Sequence, residues 1–120
     1  MTDSIVIMLP FPPSVNGLYA GKSRRYKSKA YKEWEARATL DLLQQENRHK
    51  RIDGPCHLCI QLARPDNRRR DCFNYEKPIS DFLVKNNILA DDSLIELGSI
   101  GWDNNQTNGA CVVITPMRPA

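Results

Sequence analysis

The sequence predicts an α+β fold: one small domain, a mixed β-sheet with two main helices, in the order β-α-β-α-β-β. Three observations carry this. Short, β-branched apolar runs recur along the chain, as strands require. Two segments between them space apolar residues three or four apart, the mark of a helix with one buried stripe. Clusters of proline, glycine and asparagine punctuate the boundaries. At 120 residues the chain has the size of one domain with a single modest core, so residues 1–120 are expected to form one unit. A hydrophobic fraction of 41% and a charged fraction of 26% fit an ordinary globular chain rather than a disordered one.

In chain order, Ser4 to Leu9 reads as a buried strand. It stops at Pro10-Phe11-Pro12-Pro13, because proline cannot donate to a ladder. Ser14 to Tyr19 continues as an irregular loop in which Asn16 is expected to bond to the backbone. Gly21 to Lys27 is a basic segment expected to be mobile. Ser28 is the N-cap of a helix to about Glu46, whose stripe is Tyr31, Trp34, Ala38, Leu42 and, less regularly, Leu43. Arg48-His49-Lys50-Arg51 closes that region, where cations suit the negative end of the helix dipole. His49 in this run reads as solvated.

Asp53-Gly54-Pro55 is a turn, and Cys56 to Ala63 alternates as a strand. Cys56-His57-Leu58-Cys59 is formally a CxxC, but no second pair follows at zinc-site spacing, and in a strand the two thiols face opposite sides. Reduced thiols are the reading. The second helix starts near Glu76 or Lys77, since Pro78 fits only a first turn, and it puts Ile79, Phe82 and Leu83 on one face. Lys85-Asn86-Asn87 ends it, with asparagine available for a left-handed cap. Leu94 to Trp102 reads as a strand, Asp103 to Gly109 as a hairpin loop, and Ala110 to Thr115 as the return strand.

No apolar run approaches the ~20 residues of a membrane span. Met1-Thr2-Asp3-Ser4 carries no basic leader, so a cytoplasmic location is expected. Neither an amphipathic membrane helix nor a nucleotide-binding glycine loop is present. The net charge of +3 is mild, but the cations cluster. Lys22, Arg24, Arg25, Lys27, Lys29 and Lys32 form one patch; Arg64, Arg68, Arg69 and Arg70 form another. Such patches suit a polyanion, or else are simply solvated faces.

The second patch runs into Asp71-Cys72-Phe73-Asn74-Tyr75-Glu76-Lys77, and Asp91-Asp92 follows after the second helix. Hydrolysis of a phosphodiester needs charge neutralisation around phosphorus and an activated water. Carboxylates deliver both by holding Mg²⁺, for which hard oxygen ligands are suited. Asp71 sits at a strand-to-helix junction and Asp91-Asp92 just before another strand, where distant residues can converge. Lys77 would offset charge on the scissile phosphate, and Arg68, Arg69 and Arg70 would hold flanking phosphates. On spacing alone Asp71 reads equally as a helix cap and Asp91-Asp92 as a turn.

These residues carry a resemblance. Leu9 to Asn16 with Tyr19, then Arg68-Arg69-Arg70-Asp71, Asn74, Lys77, Asp81 and Leu83, then Leu89 with Asp91-Asp92, resemble the RusA-type Holliday junction resolvases of phages and prophages. The likeness spans nearly the whole chain in the same order. It implies a RusA-like fold and a homodimer that binds four-way junction DNA and nicks two opposing strands symmetrically, with Mg²⁺ (or Mn²⁺), in recombination and repair. It implies that Asp71 and Asp92 are essential acids, that Lys77 is the functional lysine, and that Asp91 accompanies the pair. Arg68, Arg69, Arg70, Asn74, Lys22, Arg24, Arg25 and Lys27 are the expected DNA contacts.

Phe73 departs from the pattern, because the family motif has a second aspartate two residues after Asp71. Three readings stand. Glu76 supplies the missing carboxylate, or the remaining acids hold metal weakly and cut slowly, or the protein binds junctions without cutting. Cys72 is too soft a ligand to substitute. Phe82, Leu83 and Ile88 are expected to need a partner subunit to cover them.

Overall fold

The computed structural model describes residues 4–117; the Met1–Asp3 part of the N-terminal reading lies outside the described residues. The strands are β1 (Ile5–Leu9), β2 (Tyr19–Ala20), β3 (Tyr26–Lys27), β4 (Cys56–Leu62), β5 (Ile95–Trp102) and β6 (Ala110–Pro116). The helices are α1 (Lys29–Leu43), between β3 and β4, and α2 (Glu76–Lys85), between β4 and β5. The main elements follow the expected order. What the sequence did not announce is the short antiparallel hairpin β2–β3, which organises the basic segment.

The main sheet has the order β1-β6-β4-β5. β4 and β5 are parallel, joined by a crossover through α2, and β6 runs antiparallel between β1 and β4. The expected β5–β6 hairpin is therefore wrong: the loop 103–109 carries the chain past β4 instead. The physical reason lies in composition. β6 offers Ala110, Val112 and Ile114 to the core, all fully buried, which suits a central strand. β5 carries Glu96, Gly98, Ser99 and Gly101 and is largely exposed, which suits an edge. Gly109, at φ +71°, turns the chain into β6 where any Cβ would collide with the Leu9 carbonyl.

The other edge, β1, is closed by side chains. Gln45 accepts from the Met8 N–H and donates to the Met8 carbonyl, both at 2.8 Å, and the Asn47 amide donates to the Val6 carbonyl at 2.7 Å. Two amides thus stand in for a neighbouring strand.

Both helices lie near where they are expected. The Ser28 hydroxyl accepts from the Tyr31 N–H at 3.1 Å, the expected N-cap. Tyr31, Trp34, Ala38 and Leu42 are buried, whereas Leu43 is off the stripe and exposed. The helix stops at Leu43 rather than Glu46, and residues 46–49 make a separate 3₁₀ turn that presents Asn47 to β1. α2 begins at Glu76 with Pro78 in its first turn, and Asn87 adopts φ 61° just beyond its end. Phe82, Leu83 and Ile88 are 1%, 0% and 0% exposed within one chain, so they need no partner to cover them. Leu89 pairs with Ile52 in an isolated bridge, which clips the exit of α2 to the segment before β4.

Along β4, Cys56, Leu58, Ile60 and Leu62 are buried, while His57, Cys59 and Gln61 face the other way. The two thiols of the CxxC are on opposite faces as expected, and all four cysteines are free. No described helix is long and apolar enough to cross a membrane.

Candidate functional site

The loop after β4 is ordered by a residue that sequence reasoning passed over. Asp66 accepts from the Arg68 N–H at 2.9 Å, from its guanidinium at 3.2 Å, and from Arg70 at 2.6 Å. The Arg70 guanidinium first, and then the Arg68 backbone N–H, hold its carboxyl down at about 2. Arg70 also donates to the Tyr75 hydroxyl at 3.2 Å, and its side chain is only 21% exposed. It is thus a strut. Arg68 lies open to solvent, and Arg69 is exposed with no ion pair among the described residues. The carboxylate two and four residues before these arginines is the signal that would have revealed the brace.

Tyr75 ties that loop to the proline-rich segment after β1. Its ring meets Phe11 at 4.9 Å between centroids, Phe11 stacks on Trp102 at 6.2 Å, and the Arg64 guanidinium sits over the Trp102 ring, 4.8 Å from its centroid. The Trp34 indole donates to the Pro10 carbonyl at 2.9 Å. The segment is therefore a wall behind the site. Asn16, expected to hold it, is exposed; the Ser28 hydroxyl does so by donating to the Gly17 carbonyl at 2.6 Å.

Asp71 caps a 3₁₀ turn, Cys72–Tyr75, by accepting from the Phe73 N–H at 3.0 Å. Asp91 caps a second short turn, Asp92–Leu94, accepting from the Ser93 N–H at 3.0 Å and from the Ser93 hydroxyl. Both serve as turn caps, and these bonds hold the Asp91 carboxyl below the usual range. Each carboxylate keeps oxygen lone pairs facing solvent. Asp92 is exposed and makes no side-chain bond among the described residues.

Lys77, in the first turn of α2, pairs with Asp81 at 3.1 Å. That hydrogen bond chiefly raises its ammonium above the ordinary lysine range, and the charges of Asp92 and Glu76 add to it. The fold thus brings Lys77, Glu76 and Asp92 into one field although fifteen positions of chain separate the lysine from Asp92. It does not gather the acids into a cage: among the described residues no three acidic, histidine or cysteine side chains stand close enough to enclose a metal. The donors are hard carboxylate oxygens in an exposed setting. They fit an open magnesium site, which uses one or two carboxylates and completes itself with water and phosphate oxygens. Asn74 is half-buried, and its N–H bonds to the Asp71 carbonyl at 3.1 Å.

The other expected DNA contacts lie on the β2–β3 hairpin. Gly21, at φ +96°, closes its turn where a Cβ would strike the Arg24 carbonyl, and Lys22, Arg24 and Arg25 project at the tip. Lys27 differs from them. Glu35 on α1, 14% exposed, accepts from Lys27 at 2.9 and 3.0 Å and from Lys85 at 3.3 Å, so Lys27 anchors the base of the hairpin.

Comparison with known proteins agrees in extent with this layout. A family model described as "Endodeoxyribonuclease RusA" matches residues 10–115, from the proline-rich wall to the end of the central strand. A protein of Aquifex aeolicus (strain VF5), "Crossover junction endodeoxyribonuclease RusA", is 28% identical over 111 residues, covering 92% of this chain and 87% of that one.

Proposed function

The chain belongs to the RusA endodeoxyribonuclease family, and from that membership we propose that it acts as a homodimeric, Mg²⁺-dependent endonuclease that nicks four-way DNA junctions in symmetric pairs. The observation that carries the reading is the family match over residues 10–115, which takes in the exposed carboxylates of Asp71 and Asp92 and the lysine at 77. A divalent cation, when bound there, supplies charge neutralisation at the phosphate and an acidified water.

The chain's own residues do the rest. Asp71 and Asp92 present oxygen ligands from two turns, with Asp91 fixing the second turn by its cap. Lys77 stays protonated and faces the developing negative charge. Arg68 and Arg69 are the open cations of their loop, and Lys22, Arg24 and Arg25 form a second contact at the hairpin tip. Phosphate contacts of this kind set register without reading sequence. Dimerisation suits a substrate with two equivalent strands. The surface left for it is not the α2 face, which is internally covered. It is the open face of the sheet, where Val6, Met8 and Leu97 are exposed. We take residues 1–120 to act as one domain, in the cytoplasm.

A second reading, junction binding without cleavage, is favoured by one observation: Phe73 stands 72% exposed where the family motif has an aspartate. One assay separates the two. Incubation with a synthetic four-way junction and Mg²⁺ or Mn²⁺ is expected to give paired nicks at symmetric positions. Junction left intact after long incubation refutes cleavage. Equal affinity for junction and linear duplex, with no metal binding, refutes both.

A further inference from the structure

A recess of about 320 Å³ opens between the start of α2 and the core side of β5. Buried Leu58 and Ile60 lie at its floor beside Ile100 and the bare backbone of Gly98, while Phe73 and Glu76 stand at its mouth. Its volume lies at the small end of the roughly 300–1,000 Å³ typical of clefts that hold flat organic ligands. Phe73 is the most exposed of the described large apolar side chains. An aromatic ring held out over an apolar floor is a stacking platform. Arg68 and Arg69, five and four positions before Phe73, and Lys77, next in the chain to the recess-lining Glu76, are exposed cations close in the chain to an uncharged floor, with Glu76 the one charged side chain that lines the recess.

We propose that this recess receives a single nucleobase, unstacked from the crossover of a branched DNA, with Phe73 stacked on its face. The inference rests on the junction-binding reading above. The base offers a π-face to Phe73 and an apolar body to the floor, while its own phosphates meet Arg68, Arg69 and Lys77. Bases at a branch point have already lost part of their stacking, so turning one out costs less there than in continuous duplex. Stacking of this kind is tolerant of base identity, because every base has a π-face. On this account Phe73 is not a vacant ligand position. It exchanges a carboxylate contact for a grip on the strand.

The test is an affinity cycle on synthetic junctions in which each nucleotide near the crossover is made abasic in turn. Phe73→Ala is expected to weaken binding to the intact junction on the order of ten- to a hundredfold, the usual worth of one base stacked on an aromatic side chain. Phe73→Trp retains affinity. Against a junction abasic at the captured position, wild type falls to the level of Phe73→Ala, and the variant loses nothing further. Gly98→Ala narrows the recess at its bare backbone, and the added Cβ meets only the Ile95 side chain at 3.8 Å, an ordinary contact. It is expected to weaken intact-junction binding in the same way. Unchanged affinity of Phe73→Ala, or a loss that persists equally on every abasic junction, overturns the proposal while leaving junction binding intact. So does a loss traced by sedimentation to dissociation of a dimer. Failure of the wild type to prefer junction over duplex would instead overturn the parent reading, and this one with it.

Discussion

Replacing Phe73 with aspartate tests the site from the opposite direction. The ring is 72% exposed, so roughly a quarter of its surface is in contact. Full burial of a phenylalanine is worth about 1.5–3 kcal/mol, and removing that fraction costs about 0.5–1 kcal/mol of stability. The bond that shapes the turn runs from the Phe73 backbone N–H to Asp71 and survives the change. The new carboxylate therefore arrives in an intact turn, two residues from Asp71. A unit charge about 4 Å from another is worth about 1 kcal/mol in water and about 4 kcal/mol near a protein surface. The exposed setting favours the lower half of that range, or about a tenfold or greater gain in divalent-metal affinity. The measurement is junction cleavage as a function of Mg²⁺ concentration. Phe73→Asp is expected to lower the half-saturating concentration by about tenfold or more and to raise the rate. Binding to the junction in the absence of metal should weaken at the same time, as the stacking platform is lost. Unchanged metal dependence and rate in a variant with an unaltered unfolding midpoint would refute the missing-ligand account of this position.

Three further outcomes follow from the geometry. Asp92→Asn removes an exposed, unbonded carboxylate and Lys77→Met breaks only a surface pair with Asp81, so each should cost about 0.5 kcal/mol or less of stability. Both should nonetheless abolish cleavage; Asp92→Asn should leave junction affinity largely unchanged, whereas Lys77→Met should weaken it by the loss of one phosphate contact, and retained nicking would remove either from the chemistry. Glu35→Gln frees Lys27 and Lys85 from their shared partner. It should destabilise the fold by about 1 kcal/mol or less and loosen the hairpin, seen as a lower unfolding midpoint and faster proteolysis after Arg24 or Arg25. Asp66 titrates at about 2 because Arg70 and Arg68 stabilise its charged form. Its contribution is therefore complete above the unfolded value near 4 and is lost as pH falls from there through 2. Carboxyl chemical shifts against pH should place that midpoint, and Arg70→Ala should move it up toward the ordinary range; a midpoint near 4 in the wild type would sink the brace.

Much of the fold was legible because local chemistry and global position agreed. Ser28 caps α1 because a hydroxyl just ahead of an apolar stripe can accept from the helix's free N–H groups, and Pro78 fixes the start of α2 within a residue or two. What failed was pairing. A turn-rich loop between two strands predicts a hairpin only if no third strand competes for the same edge, and β4 competes successfully for both β5 and β6. The site divided along similar lines. The residue types at 71, 77 and 92 were visible, and so was the odd phenylalanine. Which arginines are free was not visible, because that depends on Asp66 and Tyr75 folding back on them. Lys27 reads as one more cation until Glu35, eight positions away, is seen beneath it.

The position of β6 bears on how the protein is made. β1 and β4 are not neighbours in the sheet order; each is held through β6, the last of the described strands in chain order. Before β6 is in place, β4 can join β5 around α2, while β1 and the proline-rich segment can meet only α1 and the turn behind it, through Trp34, Gln45 and Asn47. β6 therefore unites two half-structures in one step, its Ala110, Val112 and Ile114 facing the core from between them. A substitution that weakens this one strand should cost both pairings at once.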